Sequence, residues 1–286
     1  MAIPTAIDTK DPGAVAAHVK AVFAKLGWNQ SATLVERLFD DTTRLFHGDF
    51  PGYCANDMRY HAYEHTLQAT VCNIQILQGR HQVGVAPVLS ARDAELGLAA
   101  VLLHDTGFLK TTNDAAGTGA KYTFVHERRS CEFATKYLPT IGFSAPEIRD
   151  VCDSISCTGP RNRISRHAFR REEARTLACI LVTADYLAQM SAPDYPDKLT
   201  VLYREFEEAF TFENIPDEKR PYRRILDLFE QTPSFWEDFV RPMLTTEADS
   251  VFRYLSNTGQ PNPYLQAVEV NIAEVRRRVQ QGLVTT

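Results

Sequence analysis

His61 and His65 stand four residues apart in the run Arg59-Tyr60-His61-Ala62-Tyr63-Glu64-His65. On a helix, that spacing puts both imidazoles on one face, about 5–6 Å apart. Such a pair also decorates many surfaces, so it needs company before it means chemistry. His104 and Asp105 supply it, as an adjacent pair closing the apolar run Leu98–Leu103. Burying an imidazole and a carboxylate at the end of an apolar helix is costly unless something satisfies them. A divalent cation would, because neutral histidine and ionised aspartate are good ligands. A His–Asp hydrogen bond would as well. Asp185 interrupts a third apolar run, Ile180–Ala188. A buried unpaired carboxylate is strongly disfavoured, so Asp185 should meet a cation or one of the nearby arginines.

Other candidates are weaker by type. His126 precedes Glu127 at the expected start of a helix, where it either reaches a site or faces solvent. The stretch 159–171 carries Arg161, Arg163, Arg166, His167, Arg170 and Arg171 in an otherwise acidic chain. Guanidinium groups suit phosphate through paired hydrogen bonds, so Arg161 and Arg163 are candidate substrate contacts. Pairing with Glu172 and Glu173 is the simpler reading of the same loop. Lys110, just past His104-Asp105, is a third candidate substrate contact. His18, His47 and His81 lie outside the pattern and read as surface residues. Phe229, Phe235, Trp236 and Phe239 read as core packing.

The elements that must position these residues are helical throughout. Asp11 and Pro12 form a cap and first-turn signal, and Val15, Val19, Val22, Phe23 and Leu26 recur at helical spacing up to Gly27. Residues 1–12 read as an irregular arm. Further helices are expected at about 31–47, 59–78, 91–104, 124–138, 144–156, 172–191, 197–209, 221–231, 233–244 and 262–281. The helix ending at His104 is apolar around most of its circumference and should be central. Polar, glycine-containing loops are expected at 48–58 and 111–122. Period-two strand patterns, repeats and linkers are absent from the pattern. The reading is one all-α domain, 13–286, a compact helical bundle with extra N- and C-terminal helices packed on a core of about 59–191.

Taken in order, the early histidine, the contiguous His104-Asp105 closing an apolar helix and the later helical Asp185 resemble the HD superfamily of metal-dependent phosphohydrolases. The resemblance spans about 60–190. It implies that His65, His104, Asp105 and Asp185 bind one divalent metal ion, with Mn, Mg, Fe, Ni, Co and Zn undistinguished. His61 matches the first histidine of the YHxxxH motif of cyclic-nucleotide phosphodiesterases, the one thought to protonate the leaving oxygen, although Ala62 replaces the asparagine usual there. His126 corresponds to a histidine that binds a second metal in binuclear members. The helix that would add a further histidine reads Val151–Thr158 without one, so a second metal would depend on His126, a bridging Asp105 and water, with His167 a remote substitute.

The implied activity is hydrolysis of a small phosphoester, for instance a nucleotide or cyclic nucleotide. A metal-activated water attacks, Asp105 holds the metal and accepts the water's proton, and His61 protonates the leaving group. Two other readings stay open. One is an HD-fold hydratase of a small nitrile, or a di-iron oxygenase. The other is a non-catalytic metal-binding sensor or scaffold. The chain has 286 residues and a formal net charge of -5, which argues against whole-molecule attraction to nucleic acid or anionic membranes. No basic-then-apolar leader and no apolar run of spanning length stand out, and six scattered cysteines form no CxxC pair. The expectation is a cytoplasmic protein with a small phosphorylated substrate, no membrane and no extended nucleic acid as partner, and homo-oligomerisation left open.

Overall fold

A computed structural model describes residues 7–256 and 260–284. Among these residues the chain is helical, and its one isolated backbone bridge joins Tyr53 to Thr111. Helix α1, Pro12–Lys25, begins where Asp11 accepts a hydrogen bond from the Gly13 amide and Pro12 takes the first turn. Helix α2, Ala32–His47, follows Ser31, whose side chain makes no capping bond. Helix α3 runs Tyr63–Val83 and ends on Gly84 in the left-handed conformation. Helix α4, Ala91–Leu103, opens with a reciprocal cap between Ser90 and Asp93. Then come α5, His126–Tyr137, α6, Ala145–Ser156, and α7, Glu172–Ser191.

The C-terminal part consists of α8, Tyr195–Phe212, α9, Ile225–Ser234, α10, Arg241–Thr246, and α11, Pro263–Gln280. Two separate helices were expected across 221–244. Instead α9 continues through a wider π turn, Phe235–Val240, into α10. Pro233 lies inside this run and removes a backbone donor, and a π turn is one way a helix accommodates such a loss.

Helix α7 is the central post. Every residue from Thr176 to Ala188 is buried, and α3, α4, α6 and α11 all pack against it. Helix α4 is buried from Asp93 to Leu103, as its all-round apolar character requires. His65, His104 and Asp185 therefore sit on three helices that are mutually packed. No helix among the described residues is long and apolar enough to cross a membrane. All six cysteines are free.

One difference bears on the site. The expected helix from residue 59 starts only at Tyr63, and Arg59–Ala62 is not helical. The amides of Arg59 and Tyr60 donate to Glu205 Oε1 at 3.1 and 2.8 Å. A buried carboxylate from α8 thus satisfies donors that a helix would otherwise have to place. His61 and His65 do not share a helical face. His61 reaches the site from the entry strap, with its ring centroid 6.3 Å from that of His65.

Candidate metal centre

His65 comes from the first turn of α3, His104 and Asp105 from the end of α4, and Asp185 from the middle of α7. All four are nearly excluded from solvent, at 4%, 1%, 3% and 8% relative exposure. His65 Nε2 lies 3.0 Å from Asp185 Oδ1 and 3.5 Å from Asp105 Oδ2. His104 Nε2 lies 3.3 Å from Asp105 Oδ2 and 3.7 Å from Asp185 Oδ1. Among the described residues, His65, His104 and Asp185 form the one group of at least three His, Cys, Asp or Glu side chains whose ligand atoms all lie within 4.8 Å of one another.

The donor set fits a divalent cation. His104 Nδ1 donates to the Val101 carbonyl at 2.7 Å, which orients the ring and turns Nε2 toward the carboxylates. His104 Nε2 and Asp105 Oδ2 are buried and have no hydrogen-bond partner despite their closeness. Orphaned buried polar atoms of this kind are rare in folded proteins, and a shared cation is the usual remedy. The electrostatics agree. Burial alone would raise the Asp105 and Asp185 carboxyls, but the facing imidazoles of His104 and His65 outweigh it and hold both well below the usual carboxylate range. Burial lowers the His104 imidazole, and the two carboxylates push it far up. The pair of carboxylates demands positive charge at this spot, which an imidazolium or a metal ion meets.

The turn after α4 is held by α5. Ser130 Oγ accepts from the Gly107 amide at 2.8 Å and donates to the His104 carbonyl at 2.5 Å. Gly107 stands in this turn. Its role is closer approach: a Cβ there would meet the His126 carbonyl oxygen at 1.9 Å.

His126 opens α5. Its Nδ1 donates to the Thr123 carbonyl at 2.8 Å, and its Nε2 lies 3.9 Å from Asp105 Oδ1. Asp105 therefore faces His65 and His104 with one oxygen and His126 with the other. His167 is instead 3.0 Å from Asp153, and Thr158, at the end of α6, donates to the Ile155 carbonyl.

A cavity of about 480 Å³ opens beside the cluster. His61, Asp105, His126 and Asp185 line it, as do Glu127 and Arg161. The other expected substrate contacts lie elsewhere. Lys110 is outside the lining, 2.8 Å from Asp57 and donating to the Gly117 carbonyl at 2.6 Å. Arg163 is also outside it, 5.2 Å from the Phe239 ring centre. Arg170 and Arg171 are tied to the fully buried Asp150 at 2.9 and 2.7 Å. Within the basic loop, His167, Arg170 and Arg171 are thus held in ion pairs, and Arg161 is the one of its cations that lines the cavity. Phe229 and Trp236 are core residues, but Phe235 lines the cavity.

Sequence reasoning missed Glu205. Beyond its bonds to two amides, its Oε2 accepts from His61 Nδ1 at 2.7 Å. Burial would lower the His61 imidazole, but Glu205 overrides it and raises it above the ordinary value. Gln189 was missed as well. It accepts from the Tyr60 hydroxyl at 2.8 Å and reaches Asp185 Oδ1 at 3.3 Å. Phe108 is sandwiched between the rings of His61 and His126, with centroids 4.4 and 4.3 Å away. No protein-family model, no curated protein and no solved structure matches the chain.

Proposed function

We propose that the protein is a metal-dependent hydrolase of the HD type that directs water onto a small phosphoester. The observation that carries this reading is the orphaned pair His104 Nε2 and Asp105 Oδ2, buried beside His65 and Asp185 while Asp105 and Asp185 line a substrate-sized cavity. Its order of ligands along the chain resembles that superfamily. His65, His104, Asp105 and Asp185 would hold the cation, which when bound acidifies water and draws charge from the scissile group. Asp105 accepts the water's proton through the oxygen not turned to His65 and His104. His61, whose proton affinity Glu205 raises, hands a proton from Nε2 to the departing oxygen. Arg161 takes a non-reacting phosphoryl oxygen. His126, across Asp105 from the other histidines, is the side chain available to a second ion.

A second reading, hydration of a small neutral substrate such as a nitrile, draws support from the scarcity of cations in the cavity, where Arg161 is the sole lysine or arginine among the described lining residues. A screen of phosphomonoesters, cyclic nucleotides, nucleoside triphosphates and small nitriles against Mn, Mg, Fe, Co, Ni and Zn separates the two. Turnover of a phosphoester that is lost in Asp105→Ala supports the first reading. Turnover of nitriles alone supports the second. Activity unchanged in Asp105→Ala sinks both.

A further inference from the structure

The cavity runs well past the four ligands, and its far wall is made of rings. Phe206 and Phe210 of α8 stack at 5.9 Å between centroids, Phe210 continues to Phe124 at 5.8 Å, and Phe206 to Tyr222 at 5.4 Å. All four line the cavity, and Phe124, Phe206 and Tyr222 are only half-buried. Ring faces left partly open on a concave wall gain by stacking against another flat apolar group. The charges point the same way. Arg161, its guanidinium 5.7 Å from the Phe124 ring centre, shares the lining with the Glu127 carboxylate. Lys110, Arg163, Arg170 and Arg171 are engaged away from the cavity. One guanidinium suits one anionic group, and a polyphosphate would carry further charges toward Glu127 and the aromatic wall, where no lysine or second arginine stands among the described lining residues.

We infer that the wall formed by Phe124, Phe206, Phe210 and Tyr222 is a substrate subsite for a flat, largely apolar group joined to a single anionic centre, and that it selects against nucleoside polyphosphates. The anionic centre rests on the phosphoester reading above; the aromatic subsite does not.

Titration calorimetry on the metal-loaded protein tests this with four unreactive probes: methylphosphonate, phenylphosphonate, neutral benzamide, and a nucleoside triphosphate with non-hydrolysable bridges. Phenylphosphonate should bind at least about tenfold tighter than methylphosphonate and tighter than the triphosphate. Phe206→Ala should erase the phenyl advantage and leave methylphosphonate unchanged. Tyr222→Ala, outside any helix, repeats the test if Phe206→Ala fails to fold. Arg161→Gln should weaken both phosphonates about tenfold and leave benzamide alone. Equal binding of the two phosphonates, tightest binding of the triphosphate, or no binding of any probe overturns the inference. Benzamide binding that Phe206→Ala abolishes, with no phosphonate binding, keeps the subsite and removes the phosphoester reading.

Discussion

His61 has its proton affinity raised first by Glu205, with Asp105 and Asp185 adding to it. Burial works against its charged form, and Glu205 at 2.7 Å restores it. Because the folded imidazole titrates above 6.5, the protonated form, and the stability it confers, are complete below 6.5 and are lost as pH rises through the raised value. Glu205→Gln should therefore move the basic limb of the pH–rate profile to lower pH, while His61→Gln lowers kcat by about 10²–10⁴-fold. A basic limb unmoved in Glu205→Gln would assign that limb to another group. The two members of this pair were unequally legible. His61 stood out by type and by its distance from His65. Glu205 did not, because in Arg204-Glu205-Phe206-Glu207-Glu208 nothing local separates it from the acids beside it. Only folding brings α8 against the strap at 59–62. His104, Asp105 and Asp185 were legible for the opposite reason: a carboxylate or imidazole in or at the end of an apolar helix is too costly to bury without a partner, so its position alone marks it.

Between elements, the site depends on how closely the turn after α4 meets α5. Ser130 bridges that junction, and Gly107 permits it. Gly107→Ala would put a methyl group against the His126 carbonyl, so the two segments must part. We expect a loss of roughly 1–3 kcal/mol, read as a lower denaturant midpoint, together with weakened metal binding as Asp105 shifts. Unchanged stability would mean that the junction is loose. The glycine itself was visible in the sequence, but not its reason, since close approach depends on an element some twenty residues on. The helix start at Tyr63 was hidden in the same way: the apolar spacing continues back past it, and a carboxylate from α8 decides the boundary. A helix whose start is set by a local signal, such as α1 at Asp11-Pro12, falls where the sequence puts it.

For the molecule as a whole, the C-terminal helices are more than packing on a core. Helices α8 and α9 provide Glu205 and much of the cavity wall, so the site is finished by residues outside the stretch from His65 to Asp185. Folding is also fastened across helices by ion pairs. Arg92 on α4 bonds both oxygens of Glu147 on α6, at 2.7 and 3.0 Å, and holds that carboxyl at about 2 instead of 4.5. A depressed carboxylate contributes stability that is present above 4.5 and disappears as pH falls toward 2. Glu147→Gln should flatten the pH dependence of stability in that window, by about 1 kcal/mol once screening at this partly exposed pair is counted. Parallel acid-unfolding curves for the variant and the parent protein would contradict this.

A metal ion held by three packed helices is the centre of the proposed chemistry, and elemental analysis with metal titration addresses it most directly. After loading and dialysis the protein should retain about one divalent ion per chain at the primary site. His104→Ala and Asp185→Asn, checked for helicity by circular dichroism, should bind it at least about tenfold more weakly. Chelation should lower the melting temperature of the parent protein but not of these variants. Folded variants that bind metal as tightly as the parent, or a parent protein that takes up none of the tested cations, would contradict a metal centre at His65, His104, Asp105 and Asp185.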